Sequence, residues 1–263
     1  MKKLGYLLLV CCSLLLMSGC GAHQRLGTGQ KTLIVGLDDS FVPMGFQTPG
    51  GRLSGFDIDL AQAAGKVMKR KIVFQTIDWS MKETELRNGT IDLIWNGYTK
   101  TPERQKKVAF SQTYLQNRQV MVVPRSLKIT RLKQLQNKTV GVQSASTGYF
   151  DVMQEPKVLK DFIKDQRPVQ YDNIQQGMLD LQSGRIQGFL IDGVFARYYL
   201  KQGHLNNKYR VITSPFPPDK FAVGINRHNL ALQRQVREAL DQLKRSGELQ
   251  KIQQKWFGTT MEQ

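Results

Sequence analysis

The alternation of short apolar strands with amphipathic helices is the feature that most limits how this chain can fold. Residues 32–37 read TLIVGL, which is typical of a buried strand, and Phe56–Met68 forms a helical pattern with one apolar face. Further strands are predicted at Lys71–Ile77 and Thr90–Asn96, with a helix from Ser80 to Leu86 between them. Short links between alternating strands and helices favour parallel βαβ units. The first half of the chain therefore predicts an α/β lobe.

A change of rhythm near Tyr114–Asn117 separates this lobe from a second run of elements. The predicted strands of that run are Gln119–Val123, Thr139–Val142, Val169–Tyr171, Ile186–Ile191 and Tyr209–Ile212, with helices at Ile129–Leu135, Ile174–Leu181 and Val194–Leu200. Prolines at 215, 217 and 218 precede a last strand at Phe221–Ile225, and two helical stripes then run to Trp256. We predict two α/β lobes joined by crossings near 114–117 and 217–221. Lobe 1 would comprise residues 32–115 and 220–263, and lobe 2 residues 116–219.

The first nineteen residues have the features of an export signal. Two lysines precede an apolar run, Leu4–Met17, that is too short for a comfortable membrane span, and small residues follow it. Ser18 and Gly19 directly before Cys20 resemble a bacterial lipobox, which implies cleavage before Cys20 and acylation of its thiol. Residues 20–31 would then be the acylated cysteine and its tether. The alternative is ordinary signal cleavage beside an incidental cysteine.

Net charge and metal-binding residues limit the class of partner. The formal charge is +17, which raises nucleic acid as a partner, yet the basic residues are spread along the chain without a dense basic and aromatic run. We therefore expect a basic surface that faces an anionic envelope and no nucleic-acid partner. The three histidines are scattered, and no Cys or His spacing suits a metal, so neither a metal nor a cofactor is predicted.

The stretch from Thr90 to Ser111 carries the clearest chemical signal. Its predicted strand ends at an Asn96-Gly97 turn, and Thr101 and Pro102 then suit the N-cap and first position of a helix. That helix would present Arg104, whose planar guanidinium matches a carboxylate. The stretch predicts a carboxylate-binding turn, and the alternative at this point is a surface arginine on a solvated helical turn.

Seven motifs in order resemble a known family, the polar amino-acid-binding proteins of ABC importers. The motifs are FVPMGF at 41–46, GFDIDL at 55–60, IDWSMKETEL at 77–86, NGYTKTPERQKKVAFS at 96–111, VGVQSAST at 140–147, FLID at 189–192 and KWFG at 255–258. The resemblance covers nearly all of the chain after the tether. It implies a two-lobed periplasmic-binding-protein-like fold of type II and an amino acid as ligand.

The resemblance also implies a role for each residue of a ligand site. Arg104 would bind the α-carboxylate with help from Thr99 and from backbone N–H groups near Ser146 and Thr147, which have the pattern of a helix N-terminus. The other implied residues are Asp192 and the Asn96-Gly97 turn at the α-ammonium, Phe41 and Trp79 on either side of the ligand side chain, and Asp38 and Gln143 at its far end. Ala145 stands where the family more often has glycine.

Structural roles are the alternatives for several of these residues. Asp192 could cap a strand end, and Trp79 could be plain core. Phe41 could be a packed loop residue, and Gln143 could face solvent.

The function that the resemblance implies is capture without chemistry. Hinge closure would bury the ligand between Arg104 and Asp192, and a permease would recognise the closed form of a monomer. Glutamine-like ligands are expected first, then basic amino acids, then cystine. The alternatives are an enzyme of the dehydratase or lytic type on the same scaffold and a ligand-sensing co-receptor.

Overall fold

A computed structural model describes residues 32–258, which form two α/β lobes. The helices are α1 (Phe56–Met68), α2 (Lys82–Asn88), α3 (Pro102–Gln105), α4 (Thr147–Gln154), α5 (Ile174–Gln182), α6 (Gly193–Gln202), α7 (Leu230–Arg245) and α8 (Glu248–Phe257). Single 3-10 turns lie at Trp79–Met81, Arg125–Leu127, Leu132–Leu135, Pro156–Val158 and Lys164–Gln166. Within this range, no helix has the length and apolar character needed to cross a bilayer.

The strands form two five-stranded sheets and two small ones. They are β1 (Thr32–Leu37), β2 (Ser40–Phe41), β3 (Gly45–Gln47), β4 (Leu53–Ser54), β5 (Lys71–Thr76), β6 (Leu93–Ile94), β7 (Val108–Phe110), β8 (Leu115–Asn117), β9 (Gln119–Pro124), β10 (Val140–Gln143), β11 (Val169–Tyr171), β12 (Gly188–Asp192), β13 (Tyr209–Thr213), β14 (Asp219–Phe221) and β15 (Gly224–Asn226). The first lobe has the sheet order β5-β1-β6-β15-β7, and the second has β11-β10-β12-β9-β13.

Parallel pairing sets where the loops of each lobe meet. In the first lobe β1 pairs in parallel with β5 and β6, and in the second β10 pairs in parallel with β11 and β12. The carboxyl ends of parallel strands lie at one edge of a sheet, where open α/β sheets place their ligands. That edge holds Asp38 after β1, the Asn96-Gly97 turn after β6, and the ends of β10 and β12.

A two-stranded sheet, the hinge sheet, joins the lobes. Strand β8 pairs antiparallel with β14, with Asn117 opposite Asp219 and Leu115 opposite Phe221. These strands lie at the two predicted crossings. The C-terminal helices return to the first lobe, because α7 and α8 both pack against α1.

Three predicted elements were wrong in extent. Thr90–Asn96 is a strand only at Leu93–Ile94, although N–H groups at Asp92 and Trp95 still bond to carbonyls of β1. Phe221–Ile225 is two strands, because the chain leaves the hinge sheet after Phe221 and joins the first-lobe sheet at Gly224. The helix predicted at 129–135 is reduced to the 3-10 turn Leu132–Leu135.

Candidate ligand-binding site

The eleven residues predicted for the ligand site line one cavity between the two lobes. They are Asp38, Phe41, Trp79, Asn96, Gly97, Thr99, Arg104, Gln143, Ser146, Thr147 and Asp192. The cavity volume is about 20 Å³, which is close to the space of a single water molecule. A larger cavity of about 500 Å³ adjoins it and shares Thr99, Arg104 and Thr147 with it. The inner cavity itself has no room for a molecule larger than water.

Arg104 occupies the position that the sequence pattern indicated. Thr101 is the N-cap of α3 and accepts the Arg104 backbone N–H at 3.2 Å, with Pro102 in the first turn. The guanidinium is buried, donates to the Thr99 carbonyl at 2.9 Å and to Thr147 Oγ1 at 3.1 Å, and lies 4.6 Å from the centre of the Tyr98 ring. A solvated surface arginine is therefore excluded. The side chain connects the first lobe to the start of α4 in the second.

Asp192 ends β12 at the opposite side of the cavity. Its side chain makes no capping bond to α6, so the strand-end cap is not its role. It accepts hydrogen bonds from the side-chain amides of Asn117 and Gln119 instead. Burial raises the pKa of Asp192 well above its usual value, the nearby Asp219 raises it further, and Gln119 and Arg104 oppose the rise.

Phe41 and Trp79 line the cavity and also pack against other aromatic side chains. Both are buried, and Phe41 stacks on Phe195 of the second lobe with ring centroids 6.2 Å apart. Trp79 meets Tyr98 edge-on at 6.0 Å within a small core of the first lobe. Trp79 is thus part of the core as well as of the cavity wall, and Phe41 is a packed residue that joins the lobes.

Asp38 and Gln143 meet across the cavity. Gln143 Nε2 donates to Asp38 Oδ2 at 2.6 Å, and Gln143 is buried rather than facing solvent. The other oxygen of Asp38 accepts from the Ser40 N–H and hydroxyl at 2.9 and 2.7 Å. Burial raises the pKa of Asp38, and the bonds from Ser40 and Gln143 oppose that rise.

The helix start predicted at Ser146 is present. Ser146 is the N-cap of α4, and its hydroxyl accepts the Tyr149 N–H at 3.1 Å. The preceding Ala145 has φ +52°, a left-handed conformation that is costly for a residue with a Cβ. Its carbonyl accepts from Arg104 Nη2 at 3.4 Å and from Lys82 Nζ at 3.1 Å. This conformation turns the Ala145 carbonyl toward two cations of the first lobe.

Sequence reasoning missed Asp57, which holds the Asn96-Gly97 turn in place. Asp57 is fully buried, and its Oδ2 accepts the Gly97 N–H at 2.6 Å and the Tyr114 hydroxyl at 3.0 Å. The Gly97 N–H is therefore occupied by a carboxylate of its own lobe. Burial raises the pKa of Asp57 to about 7. The motif GFDIDL contained Asp57, yet only the tertiary contact shows its partner.

Lys82 is the second residue that the sequence did not reveal. It is almost fully buried, lies 5.0 Å from the centre of the Trp79 ring, and donates to the Trp79 carbonyl at 2.9 Å. Burial lowers the pKa of Lys82 to about 7, nearby Arg104 lowers it as well, and Glu83 opposes the change. Its bond to Ala145 makes it a contact between the lobes.

Two α/β lobes that are joined by two strand crossings and enclose a polar cavity define a solute-binding protein with the type II periplasmic-binding fold. The chain belongs to the bacterial extracellular solute-binding proteins, family 3, whose profile it matches over residues 33–259. The family is one of extracellular solute-binding proteins, and several similar proteins are named as binding proteins of ABC transporters.

Similar proteins have names that include an amino acid. A crystal structure of an ABC uptake transporter substrate-binding protein from Streptococcus pneumoniae with bound histidine is 41% identical, with a TM-score of 0.88, and the match covers 91% of this chain and 98% of that one. An ancestral arginine-binding protein bound to arginine is 33% identical, with a TM-score of 0.79 over 87% and 99% of the two chains. The arginine-binding extracellular protein ArtP of Bacillus subtilis is 29% identical over 98% of each chain.

Proposed function

We propose that this protein captures a free polar amino acid between its lobes and delivers it to an ABC importer. One observation carries the proposal: a buried arginine of the first lobe and an aspartate of the second line the same small cavity. A zwitterion presents one carboxylate and one ammonium, and their charges are complementary to those of Arg104 and Asp192, respectively. The family and the names of similar proteins support an amino acid as cargo.

The bonds that connect the lobes suggest how capture proceeds. Arg104 donates a hydrogen bond to Thr147 across the cavity. A ligand α-carboxylate would accept hydrogen bonds from the Arg104 guanidinium and from backbone N–H groups at the start of α4. The ligand ammonium would donate hydrogen bonds to the Asp192 carboxylate and to the Gly97 carbonyl. Closure would exclude water and strengthen both charge-assisted bonds, since the local dielectric falls. This is binding without a catalytic step.

The far end of the cavity would select the ligand side chain. Phe41 and Trp79 supply apolar and aromatic surface, and Asp38 supplies a carboxylate that accepts hydrogen bonds or pairs with a cation. Gln143 adds no second negative charge. The names of similar proteins favour arginine and histidine within this class, and glutamine and cystine stay in the test panel.

The attachment and assembly of the protein are part of the same proposal. Acylation of Cys20 would anchor the chain to the outer face of the membrane through the tether 20–31, which lies outside the described residues. Residues 32–115 with 220–263 and residues 116–219 would move as two lobes of a monomer about β8 and β14. A Cys20→Ala variant should appear in the medium instead of the membrane fraction, and its retention in that fraction would contradict the anchor.

A thermal-shift screen tests the cargo. The chain from residue 21 onward would be unfolded and refolded to remove any carried ligand, then tested with the twenty amino acids and cystine. A ligand at about 100 times its Kd stabilises the fold by about 2.7 kcal/mol, which shifts the unfolding midpoint measurably. A shift with one or a few polar amino acids would support the proposal. A refolded, cooperatively unfolding protein that responds to none of them would contradict it.

A further inference from the structure

Two carboxylates meet where the second lobe joins the hinge sheet. Asp192 ends β12, and Asp219 begins β14 directly opposite Asn117 on β8. The side-chain amides of Asn117 and Gln119 each donate to both carboxylates. Asn117 bonds to Asp219 Oδ2 at 3.0 Å and also to Asp192 Oδ1, while Gln119 bonds to them at 2.8 and 3.0 Å, respectively. The four side chains therefore form a closed ring of hydrogen bonds.

The ring leaves its amides no spare donor. A primary amide has two hydrogens, and each amide uses one on each carboxylate. Asn117 is fixed in this orientation because its Oδ1 accepts the Val194 N–H at 3.1 Å. Asn117, Gln119 and Asp219 are all buried. Neutral amides bring the carboxylates together without balancing their charge, so two negative charges here repel each other in a region of low dielectric.

The charged groups around the ring do not remove this repulsion. Asp151 faces it from α4 and adds negative charge, and burial together with Asp219 raises the pKa of Asp151 to about 7. Arg104 faces it from α3 and favours the ionised carboxylates, as does the N-terminal end of α6, which carries Arg197 one turn later. Burial raises the pKa of Asp219 as well. Without a further cation, the pair holds a proton in preference to two full charges.

We propose that Asp219 is a positioning residue that binds Asp192 into a shared carboxylate pair, so that capture of a ligand ammonium releases the proton of that pair. The inference rests on the proposed function, since the ammonium is the incoming cation. The O–H bond of the protonated carboxyl breaks, and its proton goes to solvent. The ligand ammonium keeps its three protons, and its positive charge balances the carboxylate charge that the released proton had neutralised. Capture then weakens as the pH falls.

Isothermal titration calorimetry in buffers of different ionisation enthalpy measures the proton release. L-arginine and L-glutamine are suitable probes, because neither side chain titrates near neutral pH. Wild type should release a measurable fraction of a proton per ligand, and this fraction should grow as the pH is lowered from about 8 to about 5. Its affinity should fall at least tenfold between about pH 8 and about pH 5. Asp219→Asn should release a clearly smaller proton fraction and shift the affinity loss to lower pH, because the repulsion from Asp219 is removed while the burial of Asp192 remains.

Three comparisons keep the test decisive. Asp161→Asn, at an exposed site of the second lobe, changes net charge equally and should behave like wild type. Asp219→Glu should restore proton release.

An Asp219→Asn variant that loses affinity equally at every pH, with proton release intact, would overturn the proposal and leave Asp219 a structural role. If Asp219→Asn does not fold, carboxyl NMR titration of wild type replaces it, and two independent, unshifted carboxyls would overturn the proposal. If neither probe binds wild type at any pH, the proposed function fails for these ligands, and the inference fails with it.

Discussion

Gln143 Nε2 donates to Asp38 Oδ2 at 2.6 Å, which links the end of β10 in the second lobe to the end of β1 in the first. Both side chains are buried, and Asp38 is held from its own side by Ser40. This single bond joins the lobes at the end of the cavity that would receive the ligand side chain. The contact thus connects lobe closure with side-chain selection.

Removal of this bond should shift the lobes toward an open arrangement. A hydrogen bond to a charged group contributes roughly 1.5–3 kcal/mol, so Gln143→Ala should raise the open population of the ligand-free protein without lowering lobe stability much. Small-angle X-ray scattering would report a larger radius of gyration. Gln170→Ala, at an exposed position of β11, is the matched control and should leave the radius unchanged. An unchanged radius in Gln143→Ala as well would show that this bond does not hold the lobes together.

Arg104 should be essential for affinity because its charge is buried. We expect Arg104→Ala to weaken binding of any amino acid ligand by about 2–5 kcal/mol, the usual cost of truncating one partner of a buried charge pair. Arg104→Lys keeps the charge but loses the planar fork of donors, so its loss should be intermediate. Arg87→Ala, at an exposed arginine of α2, should bind like wild type. Calorimetric titration would measure all three, and wild-type affinity in Arg104→Ala would refute the carboxylate role.

Most of the fold was predictable because its signals are local. Strand composition, helical periodicity and the Thr101-Pro102 start of α3 are visible within a few residues, and they place Arg104 correctly. The resemblance to a family then supplied the remaining members of the cavity. Residues whose partners lie far along the chain could not be derived this way.

Asp57 and Asp219 illustrate what local patterns miss. Asp57 lies within an amphipathic helix, and its partner Gly97 is forty residues away. Asp219 follows two prolines and could belong to any exposed loop, yet strand pairing places it beside Asn117. The split of the predicted 221–225 strand has the same origin. Phe221 pairs in the hinge sheet, whereas Gly224 pairs in the first-lobe sheet.

Gly97 should tolerate no side chain. Its φ is +56°, and a Cβ built on it would lie 2.5 Å from Phe41 Cε1 and 3.2 Å from Phe221. Gly97→Ala therefore combines backbone strain with a clash against a cavity wall, and we expect lower stability and a weaker ligand site. Gly51→Ala is the matched control, because Gly51 has φ +75° with open space around it. Chemical denaturation of both variants separates the two effects, and equal losses of unfolding free energy would argue against the clash.

Lys82 should make stability depend on pH in a predictable direction. Burial lowers its pKa in the folded protein to about 7 from an ordinary value of 10.5. Between these two pH values the unfolded chain binds a proton that the folded chain does not, so the free energy of unfolding rises with pH across that window. Below pH 7 both states are protonated, and the folded state bears the cost of a buried ammonium.

The variant Lys82→Met isolates this contribution, because methionine fills similar space without a charge. Its stability relative to wild type should be most favourable below about pH 7 and should decline steadily toward about pH 10, because neutral Lys82 keeps its bonds to Trp79 and Ala145 without the cost of a buried charge. Urea unfolding at several pH values gives this difference directly. Lys66→Met, at an exposed position of α1, should show a difference that varies little with pH. A flat difference for Lys82→Met as well would mean that the Lys82 ammonium is not destabilised by its burial.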